Sequence, residues 1–308
     1  MASPVTCPIC GGDSVSIDTV DQPAIRAGLA ESFRTEVPAS LTFPDYDVRD
    51  CKECSLGFSD PMLPGDPAFY DWITSREGYS AKLRWEWGVM LELLRRRHSK
   101  TTLLEFGCGV GLFLERAEKL SHVSTVGIDG SAASIAQAAA KGLTVRQEMV
   151  EDTIQRGDTF DLVVLSHILE HVADPVALMQ QLKAVLKPAG SIMCSLPYSP
   201  MSRELPALGI WDPMNLPPNH LTRWNAKSFQ ALAERLGMSV QLYSPAPKSA
   251  WKRALKLNAL ADGKSGLLGR LRAVAKDLGG FGGIYTTLLA RDRINGRRAG
   301  DVVLAVFS

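Results

Sequence analysis

Long apolar runs are missing from this sequence. No window approaches 18 uninterrupted apolar residues, so no membrane-spanning helix is expected. A secretory leader is missing too: MASPVTCPICGG has neither a basic n-region nor an apolar h-region, and a cytoplasmic enzyme is the default expectation. Net charge is nearly absent, since 34 Lys and Arg face 33 Asp and Glu to leave +1, so whole-chain charge selects no charged partner. There is no internal repeat and no low-complexity tract, which sets aside repeat arrays. Cysteine is sparse. Of six, four form two C-x-x-C pairs, Cys7/Cys10 and Cys51/Cys54, and without a leader such pairs read as metal ligands before disulfides.

What is present is an ordinary globular composition, 45% hydrophobic and 22% charged over 308 residues. At roughly 150 residues per domain this length allows one large domain with an appendage, or two domains. Residues 80–98 repeat apolar side chains at Leu83, Trp87, Met90, Leu91 and Leu94, close to helical spacing. Strands and helices then alternate. Strands are expected at 101–106, 123–129, 143–147, 160–166, 191–197, 238–244 and 301–307, with helices at 111–120, 131–142, 174–190 and 226–236. That alternation predicts an α/β fold, a Rossmann-like, mostly parallel seven-stranded sheet with helices on both faces.

The stretch TLLEFGCGVG ends a strand in Glu105 and continues through Gly107, Gly109 and Gly111 into a helix. Glycines there let backbone turn tightly and approach a ligand with no Cβ in the way. The spacing G-x-G-x-G differs from the pyrophosphate fingerprint G-x-G-x-x-G, and Glu105 would repel a pyrophosphate. It suits a cationic or hydroxyl-rich ligand. Asp129 closes the next strand, eighteen residues past Gly111, where a carboxylate can accept hydrogen bonds from two ribose hydroxyls. A ribose without an obligatory phosphate, joined to a cationic tail, describes S-adenosylmethionine.

EFGCGVG, Asp129, FDLVVLSHILEHVADP and LKPAG, in that order and spacing, resemble the class I S-adenosylmethionine-dependent methyltransferases over about residues 80–245 and the last strand. The resemblance implies that Glu105, Gly107 and Gly109 lie under the methionine part of the cofactor, with Gly111 completing the turn and Asp129 on the ribose. It implies that Ser166 and His167 lie beside the sulfonium. The family often has an Asp after the third strand that reaches the adenine amine. Here Met149 takes that place in QEMVEDT, so Met149 and Val150 are expected to hold the adenine by apolar packing and backbone groups.

CPICGG and CKECSLGF read as two zinc knuckles whose four thiolates make a closed, structural tetrahedral Zn2+ site. Forty residues separate Cys10 from Cys51, more than the usual spacing, so a small β-hairpin is expected inside the ribbon. A redox pair or an eroded site is the competing reading. The expected division is a zinc ribbon at 1–62, a linker and leading helix at 63–100, and a methyltransferase domain at 101–308. Ribbon-bearing methyltransferases suggest ribosomal RNA as a substrate, yet residues 1–60 carry four Lys or Arg against ten Asp or Glu, net −6, and an RNA reader should be basic. The arrangement C-x-x-C-G, C-x-x-C-x-L-G-F-x-x-P and FYDW instead resembles ribbon-bearing methyltransferases of sugar and cell-surface glycan biosynthesis, the sugar C-methyltransferases among them.

Methyl transfer is an in-line displacement, so the chain must align the acceptor and remove any proton it carries. Candidates belong at the carboxyl ends of the fourth and fifth strands and in the proline-rich loop 197–225. His220, in NHLTRW, is the first expectation for a general base, in a segment similar to one that sugar C-methyltransferases place over the methyl. The competing reading has His220 fixing the loop by hydrogen bonds. His167 reads more as a pocket wall than as a second catalytic group. Tyr198 and Trp211 are candidates for an aromatic wall against a sugar ring, and Arg223 for a substrate contact.

An insertion at 245–300 is basic, with twelve Lys or Arg against three Asp in 248–298. A basic amphipathic helix at 251–276 could touch an anionic membrane, cap the sheet or form a dimer surface. The function expected is S-adenosylmethionine-dependent methylation of a sugar, nucleotide-linked or in a surface glycan, on oxygen or carbon. RNA methylation, small-molecule O-methylation in another pathway and a non-catalytic cofactor-binding module are the alternatives. Nucleic acid is not the expected partner, and the sequence does not set the oligomeric state.

Overall fold

The computed structural model describes residues 5–76, 84–198, 215–245, 254–255, 286 and 302–308. The N-terminal module runs β1 (Ser14–Val20), α1 (Gln22–Phe33), β2 (Tyr46–Cys51), β3 (Gly57–Asp60) and α2 (Pro67–Thr74). β1 pairs antiparallel with β2, and β2 with β3. The expected hairpin between the cysteine pairs is thus a strand–helix–strand unit. Its helix starts where the Asp21 carboxylate accepts from Ala24 N at 2.8 Å with proline in the first turn. α2 starts the same way, Asp66 accepting from Phe69 N at 2.7 Å. Ile25 and Leu29 of α1 pack in one cluster with Phe69 and Ile73 of α2. The apolar face of α2 completes the core of this module.

The rest runs α3 (Trp85–Arg95), β4 (Thr101–Phe106), α4 (Leu114–Ala117), β5 (Val123–Asp129), α5 (Ala132–Ala139), β6 (Val145–Gln147), α6 (Val150–Arg156), β7 (Phe160–Ser166), α7 (Pro175–Ala184), β8 (Leu186–Pro197), β9 (Thr222–Arg223), α8 (Ala226–Leu236), β10 (Val240–Tyr243) and β11 (Val302–Phe307). Seven strands form a Rossmann-like sheet in the order β10-β11-β8-β7-β4-β5-β6. β8, β7, β4, β5 and β6 run parallel, and β11 lies antiparallel between β8 and β10. Central positions such as Leu103, Leu104, Val163 and Val164 are fully buried, as strands covered on both faces must be. The strand order reverses beside β4, so a crevice opens at the carboxyl ends of β4 and β7.

Three expectations shift. The helix expected from Gly111 to Leu120 is regular only over α4, since three glycines at positive φ hold the chain before it in a turn. The helix expected through residue 190 stops at Ala184. LKPAG is instead extended within β8, its register slipping against β7, with Ala189 at φ 61°. α6 was not foreseen. Its start is fixed locally, the Asp152 carboxylate accepting from Met149 N at 3.0 Å.

The two parts share a core. β9 pairs with β3, making the small sheet four-stranded. Ile9, Leu56 and Phe58 of the ribbon cluster with Trp224, Phe229 and Phe307. Arg235 donates to Ile9 O at 2.8 Å, and Ser59 N donates to Leu221 O at 2.9 Å. Among the described residues no helix is long and apolar enough to cross a membrane.

Candidate functional site

The crevice is an open cavity of about 990 Å³. At one end the glycine turn brings β4 to the tip of β5. Gly107, Gly109 and Gly111 have φ of 69°, 52° and 76°, the left-handed region that glycine adopts without strain. A Cβ at Gly111 would meet Leu143 Cδ1 at 2.3 Å, so this glycine serves packing and does not line the cavity. A Cβ at Gly109 would meet nothing within 4 Å, so that backbone faces open space. Gly109 N and Ser131 N donate to the two oxygens of Asp129, each at 2.8 Å. The carboxylate is locked in place and lines the cavity.

Glu105 also lines the cavity. It is buried, and its Oε2 has no hydrogen-bond partner. Burial, with Asp129 adding to it, pushes the Glu105 carboxyl well above the usual carboxylate range. An ammonium group beside it would restore its charge and satisfy the orphaned oxygen. Carboxylate, glycine cradle and a second carboxylate for hydroxyls thus fit the amino-acid tail and ribose of S-adenosylmethionine. Ser166 lines the same space and accepts from Trp87 Nε1 at 3.2 Å. Met149 and Val150 do not line the cavity. Val150 is buried in the core and Met149 is exposed at the start of α6.

The other end is assembled from distant segments. His167 leaves β7 at φ 57° and reaches Glu86 Oε1 of α3 through Nε2 at 2.7 Å, with Nδ1 3.4 Å from Glu170 Oε1. Burial works to lower its pKa, but its contacts with Glu170 and Glu86 outweigh that and raise it. His167 is held between two carboxylates and forms a wall of the cavity. Burial works against the charge of Glu170 too, yet His167 and His171 beside it hold its carboxyl at about 2. Glu170 is 1% exposed, and neither of its carboxylate oxygens receives a hydrogen bond.

His220 enters from the loop before β9. The loop is zipped down: Leu221 N donates to Glu170 O at 2.7 Å, and Thr222 Oγ1 to Leu169 O at 3.4 Å. Burial, then the neighbouring His171, pushes the His220 imidazole down to about 3. It is neutral at ordinary pH and a weak proton acceptor by itself. Its ring lies 4.9 Å from that of His171. Arg223, expected at the substrate, instead stitches the loop to the ribbon. It donates to His220 O and to Ser59 Oγ, each at 3.3 Å, and burial lowers its pKa to about 10. Tyr198 bridges to Trp224 and packs on the core rather than lining the cavity, and burial raises its pKa. Trp211 and all of 251–276 except Ala254 and Leu255 lie outside the described residues.

Sequence reasoning missed Glu86, Tyr70 and the wall contributed by the N-terminal module, where Pro64, Tyr70, Asp71 and Thr74 line the cavity. The Tyr70 ring stands edge-on to His171 at 6.2 Å. Glu86 carried a readable signal. It sits four residues before Met90, on the buried face of an amphipathic helix, where an unpaired carboxylate is costly.

Cys7, Cys10, Cys51 and Cys54 bring four sulfurs within 4.8 Å of one another, none in a disulfide. Cys7 and Cys54 sulfurs are 3.6 Å apart, and those of Cys10 and Cys51 3.4 Å. Zinc–sulfur bonds of about 2.3 Å place tetrahedral sulfurs roughly 3.8 Å apart, so the cluster fits zinc. Gly11, at φ 74°, lets its N–H reach Cys7 O at 2.9 Å and close the first knuckle.

Residues 81–242 match a family described as a methyltransferase domain. A ubiquinone biosynthesis O-methyltransferase of Cereibacter sphaeroides is 36% identical over 114 residues, 35% of this chain and 46% of that protein. One of Actinobacillus pleuropneumoniae is 33% identical over 116 residues, 34% of this chain and 47% of that one. The chain spans about half the length of the curated relatives it matches. A solved S-adenosylmethionine-dependent methyltransferase from Archaeoglobus fulgidus superposes with a TM-score of 0.47 and 19% identity, over 78% of this chain and 97% of that one. With a match running from 81 to 242 out of 308 residues, over the very strands and turn that build the cofactor end, the chain belongs to the methyltransferase-domain family.

Proposed function

We propose that this protein transfers the methyl group of S-adenosylmethionine to a hydroxyl oxygen of a small acceptor, with a sugar or sugar-bearing molecule as the acceptor class. One observation carries the reading. A single cavity joins a cradle suited to the cofactor, Glu105, Gly109 and Asp129, to a second, polar end lined by Tyr70, Glu170, His171 and His220. Bound in that cradle, S-adenosylmethionine would supply an electrophilic sulfonium methyl. Asp129 would take the ribose hydroxyls, Glu105 the ammonium, and Ser166 and His167 would wall the sulfonium side. A rigid cradle of this kind converts an encounter of two solutes into an aligned displacement.

Oxygen is favoured over carbon as the acceptor because the curated relatives are named as O-methyltransferases. The sugar reading rests on the similarity of the cysteine-bearing N-terminal arrangement to glycan-pathway methyltransferases, and on its acidity. With ten Asp or Glu against four Lys or Arg in residues 1–60, that surface favours an uncharged or cationic acceptor over a nucleic acid. His220 is retained as an acceptor-facing residue, but an imidazole at about 3 cannot hold the proton of an alcohol by itself. The four cysteines are proposed to hold a structural zinc that keeps the N-terminal wall of the cavity folded.

The test is calorimetric titration with S-adenosylhomocysteine, wild type beside Asp129→Ala, followed by transfer of labelled methyl to a panel of sugars and nucleotide sugars. Binding lost in the variant and label found as an O-methyl ether are expected. A folded, zinc-loaded wild type that binds no S-adenosylhomocysteine would end the methyltransferase reading, and label found on RNA alone would end the sugar reading.

A further inference from the structure

Glu170, His171 and His220 hold a relation that neither the cofactor nor the zinc ribbon uses. Each offers one ligand atom, and these atoms lie within 4.8 Å of one another at the cavity wall. The two rings are fixed from behind. His171 Nδ1 is hydrogen-bonded to the backbone oxygen of Asn219, and His220 Nδ1 to Asn215 Oδ1 at 2.9 Å. Carbonyl oxygens only accept, so each Nδ1 carries the proton it donates, and Nε2 is the ring nitrogen left to offer a lone pair to a ligand. His171 Nε2 is 3.8 Å from Glu170 Oε1. Both rings thus stand beside a buried carboxylate whose oxygens accept no hydrogen bond. His167, 3.4 Å from Glu170 Oε1, offsets part of the cost of burying that charge, and a cation held by Glu170, His171 and His220 would offset the rest.

We propose that Glu170, His171 and His220 bind a divalent transition-metal cation. The donor set, two imidazoles and one carboxylate, leaves coordination positions open toward the cavity and suits Zn2+, Fe2+ or Co2+ better than Mg2+ or Ca2+, which prefer all-oxygen shells. An outward Nδ1–H held by a carbonyl oxygen is how metal-binding histidines are ordinarily oriented. The loop carrying His220 is already docked, through Leu221 N on Glu170 O and β9 on β3, so the site does not need to be assembled by the ion. The reading deepens the proposed function and rests on it for its role. The cation would bind the acceptor hydroxyl and lower its pKa, its proton leaving to solvent water. The acceptor oxygen would then form the new bond to the methyl carbon as the carbon–sulfur pair returns to sulfur.

The test adds Co2+ to purified protein whose ribbon is loaded with zinc, and follows visible absorption and calorimetry. One Co2+ per chain is expected beyond the zinc, with the absorption of nitrogen and oxygen donors and no sulfur-to-cobalt charge transfer. Glu170→Gln and His220→Ala should each weaken Co2+ binding at least tenfold. Both variants should keep one zinc per chain and should bind S-adenosylhomocysteine, which reports that they are folded and that the methyltransferase reading stands independently. No Co2+ bound beyond the ribbon, or binding unchanged in both variants, overturns the site. Loss of S-adenosylhomocysteine binding in the wild type would instead overturn the function and leave the metal result standing.

Discussion

The two ends of the cavity are built by different rules. The cofactor end comes from one continuous strand–turn–helix–strand unit, β4 through β5, with Glu105, Gly109 and Asp129 brought together by neighbouring parallel strands. The proposed acceptor end takes Tyr70 from α2, Glu170 and His171 from the turn after β7 and His220 from the loop before β9, with Glu86 of α3 holding His167 behind it. Apart from α2 and α3, which are consecutive, these segments are far apart in the chain. The first end inherits its geometry from strand pairing. The second depends on how the N-terminal module docks through β3 and β9. A methyltransferase domain can therefore keep its cofactor chemistry while its acceptor chemistry is rebuilt by what is packed against it.

Metal removal should separate the two ends most sharply. A structural zinc site contributes roughly 10 kcal/mol or more of apparent binding free energy, and that energy folds the module around it. Stripping the cysteine cluster with a chelator is expected to loosen the N-terminal module and, because the module shares a core with the sheet, to lower the thermal midpoint read by calorimetry. Affinity for S-adenosylhomocysteine should fall less than methyl transfer to an acceptor, because Glu105, Gly109 and Asp129 are set by β4 and β5 whereas Tyr70 belongs to the module. An equal fall in both would mean that the ends are not independent.

The next effect is at Asp129. Removing a carboxylate that hydrogen-bonds two hydroxyls should cost about 3 kcal/mol, roughly a hundredfold in S-adenosylhomocysteine affinity. Titration calorimetry on Asp129→Ala reads it directly, and an unchanged Kd would displace the ribose from this position.

Gly111 tests the turn by a smaller amount. Alanine there must hold φ near 76° and meet Leu143 Cδ1 at 2.3 Å. Gly142, at φ 83° with nothing within 4 Å, supplies the matched control. Gly111→Ala is expected to cost about 2 kcal/mol or more and Gly142→Ala about 1 kcal/mol in thermal melts. Equal costs would remove the packing role given to Gly111.

The smallest effect lies away from both ends. Asp161 accepts from Thr102 N and Oγ1 at 2.8 Å and from Lys187 Nζ at 2.9 Å. Burial opposes its charge, but these partners bring its pKa from 3.8 down to about 2. A carboxylate depressed in the folded state stabilises above its unfolded pKa, and the gain is lost as pH falls through the folded one. Unfolding free energy should therefore drop between about pH 4 and pH 2, by no more than about 1 kcal/mol from this group once solvent screening is counted. Asp161→Asn should flatten that part of the curve, and a slope left intact would assign the loss to other carboxylates.

Much of the fold was legible from residues alone. β4, β5 and β7 occupy the spans read from TTLLEF, VSTVGID and FDLVVLS, because buried parallel strands need continuous apolar runs. α8 was legible from its amphipathic face and the capping pair of Asn225 and Gly237. α1 was not, although DQP at its start is an N-cap followed by proline. Its apolar residues are few and its buried face small, so periodicity alone did not reveal it. Arg223 and Tyr198 looked like substrate groups because polar and aromatic residues in a long loop suggest binding. The fold spends both on holding that loop to the ribbon and the core.

The sequence by itself determined the strand order of chemistry along the chain: a glycine turn after a glutamate, an aspartate ending the next strand, and four thiolates in two knuckles. Each of these is local, set by a few consecutive residues whose backbone conformations are restricted by sterics and whose partners lie one strand away. Only the tertiary structure decided that Glu86 faces His167, that Tyr70 stands against His171, and that His220 meets Glu170 across the cavity wall. Those meetings depend on closing long loops and on burying the N-terminal module against the sheet, a free-energy balance summed over the whole core that no short stretch of residues contains.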